Sequence, residues 1–304
     1  MARFQELMRD EGIEASMIRT LSSFAYFTGI KWLRPALLIP SEGEPIAFAF
    51  EDEAPELMER TGIEDVRRWR RAEELMRAVS GTIREGGYKV VGFDYSIERD
   101  AYVLFFELFK KLNRQVEVRD VHGLIMSLRM VKDAHEVALI KKASNVCAKG
   151  MEAAIEALRP GATELEVAAE AYHILMRNGA RHPLVYVNAG PSVRIHAEPL
   201  PDIRIQEGYP VTIVVAADQG GYYADMTRAV FVGEPKPRAK EALKVFLEVH
   251  SLAEESLRPG VKLADVQEAI RGHLVSKGYE KNFVLGFAHG VGLLVEEDPI
   301  TTII

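Results

Sequence analysis

Val211-Thr212-Ile213-Val214-Val215-Ala216-Ala217-Asp218-Gln219-Gly220-Gly221-Tyr222-Tyr223-Ala224-Asp225-Met226-Thr227-Arg228 passes from a continuous apolar run, through two glycines, into a run that mixes polar and apolar residues. Two stretches of strand-forming residues around a glycine break predict a β-hairpin. With Gln219-Gly220 as the two-residue turn, Asp218 faces Gly221 and Val214 lies directly across from Asp225. Directly opposed residues hold their β-carbons about 5 Å apart. Two carboxylates so placed could bridge a pair of metal ions about 3.5–4 Å apart. Here one of the two positions is a valine. Asp218 points to the same face as Val214 but lies about 13 Å further along the strand, too far to replace it.

On either side of the hairpin the chain repeats itself. A long amphipathic helix begins after Lys132, reads Ala134-His135-Glu136-Val137-Ala138-Leu139-Ile140, runs towards Leu158 and stops at Arg159-Pro160-Gly161. A second, Lys244 to Leu257, stops at Arg258-Pro259-Gly260. Each is followed by another helix, Glu164 to Asn178 and Leu263 to Lys277, and each of these ends at a glycine, Gly179 and Gly278. The duplication implies two pseudo-symmetric halves of helices and strands around a shared cleft.

The first part of the chain alternates helical and strand patterns, as in a sheet flanked by helices. Helices are expected at Ala2 to Glu11, Ala54 to Thr61, Ala72 to Arg84 and Glu98 to Leu112. Strands are expected at Ala15 to Ile18, Val66 to Trp69 and Val90 to Phe93. Pro35 to Ile39 and Pro45 to Phe50 form a hairpin across Ser41-Glu42-Gly43-Glu44. The chain changes character around Val118 to Arg129, and the boundary is expected near Val121 to Lys132, which places an α/β amino-terminal domain at 1–126 and an α+β carboxyl-terminal domain at 127–304. A length of 304 residues suits two cores, since single cores rarely grow past about 250 residues.

Composition excludes several classes. Hydrophobic residues at 48% and charged residues at 27% mark a chain that folds rather than a disordered or fibrous one. The net charge of −7 is spread along the chain, and the basic run Arg67-Arg68-Trp69-Arg70-Arg71 reads as a solvated strand end, so no nucleic-acid partner is expected. No run approaches the roughly 20 apolar residues of a membrane span, and the start lacks a signal-peptide core, so the expected location is the cytoplasm, away from the membrane. The single cysteine, Cys147, is expected to be a small buried side chain. Sparse Asn and Gln with abundant Arg and Glu resemble thermophilic composition.

Several motifs together resemble those of the Xaa-Pro peptidase and creatinase family, whose catalytic domain has the "pita-bread" fold. Gly221-Tyr222 followed by Asp225-Met226-Thr227-Arg228 resembles the family's Gly-Tyr-x-x-Asp-x-Thr-Arg motif. Ala189-Gly190-Pro191-Ser192 and His196 resemble its Ser-Gly-x-Asn and Pro-His segments. His289-Gly290-Val291-Gly292-Leu293 and Glu297-x-Pro299 resemble its His-Gly-Ile-Gly and His-Glu-x-Pro runs. Tyr26-Phe27-Thr28-Gly29 and Leu128-Arg129-Met130-Val131-Lys132 also match, so the resemblance spans nearly the whole chain in order.

The resemblance implies a creatinase/prolidase-type amino-terminal domain, a pita-bread domain and hydrolysis of Xaa-Pro peptides by a hydroxide bridging two divalent metals. The ligands it implies are two aspartates, one histidine and two glutamates. Asp225 matches the second aspartate and His289 the histidine, while the first aspartate, eleven residues before Asp225, is replaced by Val214. The two glutamates belong to strands that would follow Ile304, so the domain is expected to lack its last strands. His196 matches the catalytic histidine that polarises the scissile carbonyl. Leu285 and Glu296 stand where the family has further histidines, and Glu296 and Glu297 are candidate substrate-binding residues.

This incomplete set predicts impaired or absent dinuclear metal-dependent hydrolysis, with no metal or at most a single weakly held divalent ion (manganese, cobalt or zinc). Two alternatives stand beside it: a metal-free amidohydrolase resembling creatinase and using His196, and a non-catalytic module that binds peptides or proteins in the cleft. The expected partners are a small peptide or small-molecule substrate and a second copy of the chain, a homodimer being the family habit. Bland readings stand as well: Asp225 as an ion-pair partner of Arg228, and His289 as a satisfied core histidine.

Overall fold

Four consecutive buried residues, Ala15 to Ile18, make a strand covered on both faces, and the amino-terminal half is built around it. The computed structural model describes residues 1–96, 98–191, 194, 197–283 and 286–301. It divides into two compact units, Met1–Lys132 and Asp133–Ile304.

In chain order the first unit comprises α1 (Ala2–Asp10), β1 (Ala15–Ile18), α2 (Leu21–Thr28), β2 (Leu37–Pro40), β3 (Ile46–Phe50), α3 (Ala54–Thr61), β4 (Val66–Trp69), α4 (Ala72–Glu85), β5 (Val90–Phe93), α5 (Asp100–Leu112), β6 (Glu117–Asp120) and α6 (His122–Met130). The six strands form one sheet in the order β4-β3-β2-β1-β5-β6. β2 runs antiparallel to both β1 and β3, as the expected hairpin requires, and the remaining pairs are parallel. Successive strand residues point to opposite faces, so the apolar run of β2 feeds two cores. Leu37 and Ile39 pack with Phe4, Ile18 and Phe24 on one face, while Leu38 packs with Met17, Phe48, Val79 and Phe109 on the other. Each such side chain, fully buried, contributes about 1.5–3 kcal/mol.

Three elements lie outside the expected list, α2, β6 and α6. The expected division at 126/127 falls inside α6, whose Ile125 and Met126 are buried in the same core as Phe4, so the helix stays with the first unit. The basic run is a half-exposed sheet edge, where Arg67 pairs with Asp65 and Glu85, and Arg70 with Glu51.

The second unit comprises α7 (Ala134–Glu156), α8 (Glu164–Arg177), β7 (Leu184–Ala189), β8 (Pro210–Gln219), β9 (Tyr222–Phe231), α9 (Pro237–Ser256), α10 (Leu263–Lys277), β10 (His289–Gly290) and β11 (Glu297–Ile300). β7, β8 and β9 form an antiparallel sheet, and β10 pairs with β11. Capping boxes start α7 at Asp133/Glu136 and α8 at Thr163/Glu166, each satisfying backbone N–H groups that a helix start leaves unpaired. α7 lies close to its neighbours because of Gly150, where a β-carbon would come within 2.5 Å of Leu175 of α8. The repeat is realised: α7–α8 and α9–α10 are both helix pairs, and Gly161, Gly179, Gly260 and Gly278 all have positive φ at the corresponding stops. Cys147 is fully buried. Among the described residues no helix is long and apolar enough to cross a membrane.

The hairpin is present, but its register differs from the expected one. Gln219 pairs with Tyr222, so the turn is Gly220-Gly221. A two-residue turn of this hand needs positive φ at both central residues, which two glycines supply at +57° and +92° and which Gln219 would resist. The pairing therefore shifts by two residues: Asp225 lies opposite Ala216, and Val214 opposite Thr227.

Candidate functional site

Odd-numbered residues of β8 (Val211, Ile213, Val215 and Ala217) are buried in the core with residues of α7 and α8, so Val214, Ala216, Asp225 and Thr227 share the other face of the sheet. The two-residue shift keeps Val214 and Asp225 on that face but makes them diagonal neighbours. Diagonal residues stand about 7–8 Å apart, still within reach of a shared ligand. Val214 is 7% exposed, and the side chain of Asp225 keeps about a quarter of its surface open.

His289 reaches the same face. Its Nε2 lies 3.8 Å from Asp225 Oδ2, and its Nδ1 lies 3.0 Å from the carbonyl oxygen of Gly290. A carbonyl only accepts, so Nδ1 donates to it, and Nε2 is the ring nitrogen turned towards the carboxylate. An imidazole nitrogen and a carboxylate oxygen at that distance can share a proton or a cation between them. This arrangement differs from that of a histidine whose two nitrogens are both satisfied in a core. The ion-pair alternative for Asp225 is disfavoured by strand geometry, because Arg228, three residues on, projects from the opposite face and donates to Thr227 O.

The glycines around His289 explain how it is held. A β-carbon on Gly290 would lie 2.5 Å from Asp298 O, and one on Gly292 would lie 2.1 Å from Glu297 Oε1. β11 and the Glu297 carboxylate thus pack directly on this backbone. Tyr223 N donates to Gly292 O at 2.6 Å, which ties the segment to β9 two residues before Asp225. Glu297 is only 3% exposed, whereas Glu296 is exposed. Among the described residues, no three His, Cys, Asp or Glu side chains converge in a way that could hold a metal ion. His196 and Leu285 lie outside the described residues.

Three carboxylates that sequence reading did not single out as functional organise the surroundings. Glu164, fully buried at the start of α8, accepts from Ala189 N at 2.7 Å and Leu200 N at 2.9 Å and pairs with Arg194. It therefore anchors both the end of β7 and the segment that follows. Asn188 adds to this, donating to Ala197 O at 3.0 Å. Asp218, 1% exposed, accepts from Arg181 N and His182 N and so fixes the turn into β7. Glu136, which also closes the capping box of α7, accepts from Tyr222 OH at 2.8 Å beside the hairpin turn. For Glu164 no sequence signal existed, because its carboxylate serves backbone groups 25 and 36 residues away.

Comparison with known proteins agrees with this layout. The model of metallopeptidase family M24 matches residues 138–303, and that of the creatinase/prolidase N-terminal domain matches residues 1–131. The Xaa-Pro dipeptidase of Pyrococcus horikoshii is 29% identical over 296 residues, which cover 97% of this chain and 81% of that protein. The Xaa-Pro dipeptidase of Pyrococcus furiosus is 26% identical over 301 residues, covering 98% and 83%. The crystal structure of the Pyrococcus horikoshii prolidase superposes with a TM-score of 0.87 at 28% identity, covering 99% of this chain and 84% of that one.

Proposed function

The chain belongs to metallopeptidase family M24, with a creatinase/prolidase N-terminal domain ahead of a pita-bread domain, and from that premise we propose that its dinuclear metal-dependent Xaa-Pro hydrolysis is impaired or absent. The observation that carries this reading is Val214. It stands on the same sheet face as Asp225, at the position where the family motif implies an aspartate, and a valine offers no oxygen to a hard cation.

Two divalent ions need bridging carboxylates between them. With Val214 where one of those carboxylates would stand, Asp225 and His289 do not fit that demand, so no step of peptide hydrolysis is assigned to a metal pair here. They do suit one weakly held divalent ion, since an imidazole nitrogen and a carboxylate oxygen are both ordinary donors for manganese, cobalt or zinc. In this reading the cleft still takes small peptides, Glu296 meets them at the surface, and Glu297 shapes the floor by its contact with Gly292. The chain is read as a cytoplasmic homodimer, for which light scattering would give twice the mass of one chain. The functional test is turnover of an Xaa-Pro dipeptide with added manganese or cobalt: the reading expects none above background, and metal-dependent turnover contradicts it.

A further inference from the structure

The amino-terminal unit holds a cavity of about 260 Å³ at the carboxyl ends of β1 and β5. Arg19 and Thr20, which follow β1, line it together with Asp94 and Tyr95, which follow β5. In open α/β sheets this is the place where ligands bind, because the loops leaving parallel strands diverge there. Its volume falls just below the range of about 300–1,000 Å³ that receives drug-sized molecules, which suits something smaller.

Two polar side chains in its wall are unsatisfied. Nε and Nη1 of Arg19 and the hydroxyl of Tyr102 are buried with no hydrogen-bond partner among the described residues. The Arg19 guanidinium lies 4.3 Å from the ring centroid of Phe105 and 5.9 Å from that of Tyr102. Contact with a ring engages the cation through the π-system and leaves in-plane N–H groups without acceptors. Burial lowers the Arg19 pKa only to about 10, so it stays charged at neutral pH. Asp94 is not its counter-charge. That carboxylate is already taken up by Thr20 Oγ1, Ser23 Oγ, Ser96 N and His122 Nδ1. The rest of the wall is Phe93, Val103 and Phe106 with Ser96 and Glu107, and the Glu107 carboxylate is paired with Lys110 at 2.7 Å. A buried cation and a phenol, both short of partners, in an apolar pocket match a ligand with one anionic end and one apolar end.

We propose that this cavity binds a small apolar carboxylate, its charged group on Arg19 and Tyr102 and its single ring or branched chain against Phe93, Val103 and Phe106. The proposal rests on the amino-terminal unit alone and is independent of the peptidase reading.

Calorimetric titration of 3-phenylpropionate into the full chain tests it, with 3-phenylpropanamide as the uncharged counterpart. One saturable site is expected, with the amide at least tenfold weaker. Arg19→Met should weaken the carboxylate at least tenfold and leave the amide unchanged, and Val103→Trp, which fills the cavity from α5, should abolish both. No saturable binding by the wild type, equal affinity for acid and amide, or full affinity in either variant overturns the proposal. If Arg19→Met does not fold, Val103→Trp and the acid–amide comparison decide it.

Discussion

His289 Nε2 lies 3.8 Å from Asp225 Oδ2, with the other ring nitrogen held by the Gly290 carbonyl. The pair forms only because Gly290 and Gly292 allow β11 to pack against the histidine-bearing segment, and because Tyr223 N grips Gly292 O beside Asp225. Sequence-distant groups are thereby brought to one face of the β8–β9 hairpin.

If this pair holds one divalent ion, each partner is needed. Asp225→Ala and His289→Ala should each weaken cobalt binding at least tenfold, followed by the visible absorption of the bound ion. Unchanged cobalt affinity in either variant would remove the pair from the metal site.

Val214→Asp places a second carboxylate on the same face, diagonal to Asp225. Without metal it leaves an uncompensated charge where a buried valine stood, at a cost of roughly 3–5 kcal/mol. Manganese at a hundred times its dissociation constant should return about 2.7 kcal/mol, since only the folded chain assembles the site. Urea denaturation with and without manganese measures both effects. A variant whose stability ignores manganese would show that position 214 does not face the metal.

The turn that sets this face depends on positive φ at Gly220, where a β-carbon would also meet Leu139 Cδ2 at 3.0 Å. Gly220→Ala should cost about 1–2 kcal/mol in denaturant unfolding. A neutral effect would contradict the Gly220-Gly221 turn and with it the register.

That register shows how far the sequence could be read. The hairpin was legible from its two strand-forming runs, and the helix-stop repeat from Pro160-Gly161, Pro259-Gly260, Gly179 and Gly278. Which dipeptide turns was not settled by composition, because Gln219-Gly220 and Gly220-Gly221 both contain glycine, and only the demand for positive φ at both central residues separates them. α2 was invisible because half of its buried residues are polar: Ser22 and Ser23, beside Phe24 and Ala25, are held by Glu98 and Asp94, more than 70 residues away. β6 was invisible because an edge strand reading Glu-Val-Arg-Asp has no apolar alternation. Asp225 and His289 were legible as motif residues, but not the carboxylate of Glu164, which acts across the fold.

The Asp94 network predicts a pH dependence. Burial raises the Asp94 pKa, but hydrogen bonds from His122, Ser23, Ser96 N and Thr20 to the ionised form together outweigh it and hold the group below its ordinary value. A carboxyl lowered on folding stabilises fully above its unfolded value, about 3.9, and loses that contribution as pH falls through the folded value. Asp94→Asn should therefore destabilise the chain by about 1.5–3 kcal/mol at pH 7. The difference from wild type should shrink below pH about 4. A difference that stays constant from pH 7 to pH 3 would contradict the assignment.

The central claim concerns how many metal ions this face can hold, and elemental analysis of the folded chain after incubation with excess manganese or cobalt and removal of free ion measures that number directly. The account predicts no more than one weakly retained ion per chain, lost on further dialysis. Two tightly held ions per chain would contradict it.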